Sequence, residues 1–531
     1  MSVNPPALTI ALGSVGIPQV DVIDGLVHLG ATKEVSSWEL RLQNWNAKYS
    51  PNGTYPLNAG QDGYICIGRG ANVPQLITTR TESIKYQSNT TENYVIVAGR
   101  CWGEKLFRQT VTKDYSGYRG EAIAKDLLDY YSGLSHVRGS TELVEDTDTT
   151  FTDLKVQDTQ VWDMLQKIAF ESDKNGAIGY DFRTAPDGKF EFFPRSTKTS
   201  SVSLTDKIEA YEYWKEIIAI RNKITIYGAA DKSSPLDKAE TVESLSPASG
   251  AWTLYAGISM TLDATKTYGE AAASIKLVSG SNYYGGLYLT FNTPQNLNTY
   301  PKLYLALLRD THIRADGFSV ELFDTSYRAA GQVLSNVNDN DPSAFALDVG
   351  GAFAANWHPQ AGFDWTQVSI VRIDGWLVDT LTSGTFWVMQ LFFGGARYSS
   401  MQQNTASQAA YGLREFVDTD EELWSDTECL LRARAILANM KDPSEYITLR
   451  STVIDYGNTP LFAADMIPVT LPNENVNGNF RILSAEYHVK AKTDDLEITL
   501  ELGREKSLLA DYVYALRSKV DHINRYKVAR L

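Results

Sequence analysis

Nucleophile and general-base chemistry needs a histidine or carboxylate held beside its partner, yet the six histidines of this chain stand apart: His28, His136, His312, His358, His488 and His522. None falls in a His-Glu-x-x-His, Gly-x-Ser-x-Gly or phosphate-loop spacing that would bring ligands or a nucleophile together. Isolated histidines read as packing or surface residues, so no catalytic constellation is expected. Cys66, Cys101 and Cys429 are scattered, with no Cys-x-x-Cys pair, and write neither a disulfide framework nor a thiolate metal site. Asn338-Asp339-Asn340-Asp341 offers hard oxygen ligands but lacks the glycine and distal glutamate of a calcium loop, and reads as a solvated turn. Asp418-Thr419-Asp420-Glu421-Glu422 precedes a helical stretch, where acidic groups suit the positive end of the dipole. No metal and no cofactor are expected.

Aromatic residues between 232 and 408 are the better lead. Sugar rings present C–H faces that stack on Trp and Tyr, and binding loops pair such rings with polar hydrogen bonders. Tyr283, Tyr284, Trp357 with His358, and Trp365 lie in or beside predicted loops and form the candidate carbohydrate site, whereas Trp387 and Phe392 lie within predicted strands. Core packing, or contact with another protein, is the competing account of each.

The elements that must position these residues follow from periodicity. A chain of 531 residues exceeds what one core supports, so several domains are expected. In residues 1–113, stretches such as Ser37–Leu42, Gly63–Gly68 and Asn93–Arg100 alternate apolar and polar, with turns at Pro51-Asn52-Gly53 and Gln61-Asp62-Gly63, and predict a small β-barrel or sandwich. Residues 114–231 change period. Ala122, Ile123, Leu127 and Leu128 fall at helical spacing, ended by Gly133. A second helix over Val161, Leu165 and Ile168 is predicted to be capped by Asp158 or Thr159, and a hairpin follows around Pro186-Asp187-Gly188. This is an α+β unit.

Residues 232–408 are rich in Ser, Thr, Asn, Gly and aromatics. Strands are predicted at 274–278, 286–291, 302–308, 318–323, 368–373 and 385–393, the pattern of an all-β sandwich, with Ser233-Ser234-Pro235 and Gln402–Gln408 as linkers. A helix at 426–439 and a second barrel pattern occupy 409–503. In 504–531, Leu509, Val513, Leu516, Val520 and Ile523 alternate four and three apart, the seam of a short coiled coil and a candidate oligomer contact. Packing of that helix on its own barrel is the alternative.

A formal net charge of -15 would repel a phosphate backbone, which argues against nucleic-acid binding as the chain's general business. No apolar run approaches the roughly 20 residues of a spanning helix, and the N-terminus lacks the basic start of a secretory signal, so no membrane span and no address of its own are expected.

In order along the chain, Tyr118–Leu128, Thr159–Ala169 with Asp187–Phe192, and Arg221–Gly228 continuing at Tyr411-Gly412-Leu413-Arg414 resemble the hub proteins of long-tailed phages and contractile injection machines. Asp465–Val469 and Phe480–His488 resemble the closing barrel of such hubs. The resemblance implies a mainly β fold with two small barrels and an α+β middle domain. It further implies a homotrimeric ring between tail-tube protein and tail-tip or spike proteins, made in the host cytoplasm and built into the virion. Ala251–Leu254, Gly269–Leu277, Phe318–Asp324 and Val371–Trp376 resemble the galactose-binding-type jelly roll of carbohydrate-binding modules, which implies an inserted sandwich able to bind host-surface glycan. The last strand of many such modules carries an acidic residue near calcium; here Phe386–Phe392 has none. A structural, non-enzymatic role is therefore expected. The alternative is a secreted polysaccharide-active enzyme carrying such a module, but a glycosidase needs two carboxylates flanking a cleft, and the split frame offers no obvious pair.

Overall fold

The computed structural model describes residues 4–503, apart from 90, 153, 206, 231, 233–241, 256–257, 270, 280–283, 352–355, 379–382, 422 and 491–494. The seam residues Leu509, Val513, Leu516, Val520 and Ile523, and Tyr283 of the candidate site, lie outside the described residues. The chain divides into two units, one made of 1–226, 400–418 and 427–531, the other of 227–399 and 419–426.

The first unit is organised by a 12-stranded antiparallel sheet. Its strands come from both ends of the chain, because Val22–Leu29 pairs with Val476–Lys490. The strands of the two barrel patterns thus hydrogen-bond to one another. Val27, Leu40, Val97, Leu449, Tyr487 and Leu500 alternate with polar residues and share one buried cluster, as half-buried strands require. Arg69 ties the two ends further: its guanidinium donates to the carbonyls of Ile454 (3.0 Å) and Leu496 (3.0 Å).

The middle region is α+β, as its change of period predicts. Helices Gly120–Leu127 and Val161–Glu171 and the hairpin Tyr180–Thr184 with Phe190–Pro194 enclose Ile123, Leu127, Leu165, Ile168, Phe182 and Phe192. Gly133 takes the left-handed conformation (φ 63°) where the first helical stretch ends. The expected cap of the second helix is not formed. Gln160 precedes it without a side-chain bond, while the Asp158 carboxylate accepts from Thr112 Oγ1 (3.0 Å).

The second unit is a β-sandwich. One sheet has six strands, in the order Gly250–Tyr255, Tyr284–Gln295, Val368–Leu377, Ile313–Asp324, Ala329–Leu334 and His358–Pro359. The other has five, in the order Ile258–Asp263, Ser274–Ser279, Gly384–Gly394, Lys302–Arg309 and Ser343–Asp348. Leu287, Leu289, Val320, Ile373, Phe386 and Leu391 belong to a core contributed wholly by this unit.

Two details at its ends differ from the linker expectation. Residues 399–403 form a strand beside Lys223–Tyr227, and Thr405–Tyr411 is a helix whose first turn is capped by Asn404, which accepts from the Ser407 N–H (2.8 Å). The polar composition of Gln402–Gln408 belongs to an edge strand and an N-cap rather than to a linker, because both use Asn, Ser, Thr and Gln. The chain enters and leaves the sandwich through adjacent strands, a ladder continued by Gly228 N–H to Tyr398 O (2.7 Å) and Tyr398 N–H to Ala229 O (3.2 Å).

Candidate functional site

The aromatics singled out by loop position do not gather into an exposed site. Trp357 is buried (4% exposed), its indole N–H donates to Asp348 O (2.7 Å), and its ring meets Trp365 edge-on with centroids 6.1 Å apart. Trp365 is half-buried and packs in turn against Phe363 (4.9 Å). The pair closes the end of the core, so Trp357 presents no face to a ligand; a buried Trp satisfies its N–H and fills space at once. His358 is exposed on the edge strand, opposite Gly331. Tyr284 lies in a strand rather than a loop, opposite Trp376.

The outward face of the six-stranded sheet carries a different set. Side chains alternate across a strand, so Ile370, Arg372, Asp374 and Trp376 share the face opposite to the core residues Val371 and Ile373. In register beside them stand Tyr288 and Gly286 on one neighbour and Glu321 and Ser319 on the other. Tyr255 lies opposite Gly286 one strand further out.

Arg372 organises this face. Its guanidinium reaches Asp374 Oδ2 (2.7 Å) and Glu321 Oε2 (3.1 Å). It also lies over the rings of Tyr255 and Tyr288 (5.4 and 5.9 Å to the centroids). The two rings are 5.1 Å apart, and Tyr288 continues to Phe323 at 6.4 Å. Ser319 Oγ donates to Asp374 Oδ2 (3.3 Å), while Oδ1 is buried without a hydrogen-bond partner among the described residues. Burial pushes the Asp374 carboxyl up to about 7, against the pull of Arg372. A Cβ at residue 286 would sit 2.5 Å from that Oδ1 and 2.1 Å from Ile373 O, so only glycine fits between the carboxylate and the neighbouring strand. Trp376 (41% exposed) and Val333 (70% exposed) flank the row.

Chemically this is a flat platform of tilted aromatic rings around a charged centre that both donates and accepts hydrogen bonds. Such a surface suits a polyhydroxylated ring, whose C–H face stacks while its hydroxyls meet Arg372 and Glu321, with the buried Asp374 holding the guanidinium from below. The two carboxylates Glu321 and Asp374 are bound by one guanidinium rather than set across a cleft. The alternation Arg372-x-Asp374-x-Trp376 was visible in the sequence, but which of its two faces stays uncovered depends on the partner sheet.

No protein-family model matches the chain, and no curated protein matches it. Among solved structures, the chain is similar to the 43 kDa tail protein of prophage MuSo2 from Shewanella oneidensis (10% identity, 94% of this chain and 98% of that one, TM-score 0.48). It is similar also to the tail protein from Neisseria meningitidis MC58 (8% identity, 94% and 97%, TM-score 0.46). Over part of its length it is similar to a family 11 carbohydrate-binding module of a cellulosomal cellulase from Clostridium thermocellum (11% identity, 32% of this chain and 96% of that one, TM-score 0.23).

Proposed function

We propose that the chain is a structural subunit of a phage-type tail, a hub at the tail tip or baseplate, whose inserted sandwich carries a carbohydrate-binding face. The observation that carries the reading is the discontinuous frame. Strands from both ends of the chain build one sheet around an α+β region, and a separately cored sandwich enters and leaves through paired strands. That arrangement lets an adhesive module be added without breaking the frame, as expected for domains whose termini lie close together. The hub reading adds a homotrimeric ring between a tail-tube protein and tail-tip or spike proteins, within the virion.

Within the sandwich, the ligand reading moves from the Trp357 loop to the platform of Tyr255, Tyr288, Arg372 and Asp374. Single-site affinity for a sugar on an open sheet face is weak, and three copies on one ring would offset this by raising effective concentration. Electron microscopy and light scattering of the purified chain, alone and with tail-tube protein, test the assembly: a ring with peripheral lobes supports it, and a monomer under both conditions overturns it. A glycan array probed with the wild type and with Tyr288→Ala tests the platform separately.

A further inference from the structure

The five-stranded sheet of the second unit carries chemistry on the side turned away from the sandwich core. Ile275, Leu277, Phe386, Val388 and Leu307 belong to the core, so the residues that alternate with them share the opposite face. There Thr261, Lys276, Trp387 and Leu308 stand in one register row across adjacent strands. Ala306, Leu308 and Met389 form a small separate cluster on this side, with Tyr268 and Trp387 packed against it. The two aromatic rings thus rest on a buried apolar floor, and Thr261, Thr265 and Thr267 are exposed beside them.

Trp387 is fixed in place. Its indole N–H donates to Asp263 Oδ2 (2.9 Å), while Asp263 Oδ1 accepts from the Thr265 N–H (2.9 Å) and hydroxyl (2.6 Å). The hydrogen bonds from the Thr265 hydroxyl and then from Trp387 lower the Asp263 carboxyl to about 2, so it remains an acceptor. Lys266 and Lys276 bring their ammonium groups to 6.0 and 5.9 Å from the centroid of the same indole. Neither forms an ion pair among the described residues. The other charged residues of this face and its margins are engaged. Lys302 and Asp348 pair with each other at 2.6 Å, Asp310 accepts from the Thr385 and His312 N–H groups (2.7 and 2.9 Å), and Glu243 accepts from the Ala272 N–H. Two ammonium groups are therefore left with donors to offer, beside an indole whose own polar atom is already used.

We propose that this face binds an acidic saccharide, a glycan whose sugar units carry carboxylate or sulfate, with Lys266 and Lys276 on the anionic group and the Tyr268 and Trp387 rings against the sugar. The charge of the ligand follows from the two unpaired ammonium groups, which meet either anion as point charges. Its sugar character follows from what surrounds them: aromatic rings for a C–H face and threonine hydroxyls for neutral hydrogen bonds. The Asp263 hydrogen bond holds the indole before any ligand arrives, which reduces the ordering cost of binding. On the other sheet the Arg372 guanidinium is already shared by Glu321 and Asp374, which suits a neutral ring. The two faces of one sandwich thus select differently, and this site depends neither on the Arg372 platform nor on the hub reading.

The test is affinity gel electrophoresis of the full-length chain in polygalacturonate, dextran sulfate, neutral dextran, poly-L-glutamate and oligothymidylate. Because the formal net charge of -15 repels polyanions in general, retention by one of them reports a local site. The expected result is retention by polygalacturonate or dextran sulfate at least about tenfold stronger than by dextran, the stronger of the two telling carboxylate from sulfate. Lys266→Gln with Lys276→Gln, which breaks no ion pair, should weaken that retention at least about tenfold, and Tyr288→Ala on the other sheet should leave it unchanged. Retention by neither acidic glycan above dextran overturns the proposal, as does retention that survives the double lysine change or is lost in Tyr288→Ala. So does retention by poly-L-glutamate or oligothymidylate as strong as by the glycans, which would make the face a site for acidic peptide or nucleic acid.

Discussion

Arg481 grips Asp181 from 300 residues away along the chain, Nε on Oδ2 at 2.9 Å and Nη2 on Oδ1 at 2.6 Å, with the carboxylate wholly buried. The pair fastens the hairpin of the middle region to the C-terminal strands, and Thr32 adds a donor from the N-terminal part (3.1 Å). Three segments therefore depend on one carboxylate. Asp181→Ala removes the buried carboxylate that Arg481 and Thr32 share and is expected to cost about 3–5 kcal/mol. Chemical denaturation followed by circular dichroism measures this; a loss below the ordinary surface range would show the pair to be dispensable.

Trp357→Ala should act as a core deletion. The ring fills the end of the sandwich and bonds Asp348 O, so the expected loss is about 3–5 kcal/mol in the stability of that unit. Limited proteolysis with mass mapping locates the effect, with new cuts expected within 227–399.

Tyr288→Ala and Arg372→Ala should weaken glycan retention while leaving the core intact. A single stacking or charged contact on an open face is worth about 1–2 kcal/mol, or roughly five- to thirtyfold in Kd. Arg372→Ala also frees the charges of Glu321 and Asp374, so Arg372→Lys is the companion that keeps charge but loses the fork. Isothermal titration against the best ligand of the array reads both. Retention unchanged in Tyr288→Ala would remove the platform from consideration.

Asp374 predicts a pH dependence of stability. Its folded-state pKa, about 7, exceeds its unfolded value of 3.8, so the folded state holds the proton across that interval. The unfolded chain ionises first as pH rises, and this contribution to stability declines from about pH 4 to 7 and is flat beyond. Asp374→Asn should flatten that part of the profile, and thermal unfolding at a series of pH values compares the two. A decline of equal depth in both would mean that Arg372 keeps the carboxylate ionised.

Much of the architecture is legible in the residues. Composition poor in helix formers and regular strand spacing located the strands now seen at Ser274–Ser279, Lys302–Arg309, Val368–Leu377 and Gly384–Gly394 to within a few residues, because short runs rich in β-formers between turns are local signals. The helix Asp426–Met440 and the turn at Gly133 were equally local matters. The edge strands Gly250–Tyr255 and Ser343–Asp348 escaped notice, since edge strands bury little and need not alternate cleanly.

What sequence alone could not decide is which aromatic faces water. Trp357 and Trp365 follow a turn-rich stretch and look like loop residues, yet the closing of two sheets drew them inside. Tyr288 and Arg372 sit in strands and look like packing, yet both stay half-buried on the face turned away from the sandwich core. Likewise, alternation groups Lys276 with Val278 but does not tell that theirs is the side turned away from the core. Burial is a property of the second layer, contributed by strands from elsewhere in the chain, so composition, charge and the order of elements are fixed locally while the exposed face is settled only when the sheets pack.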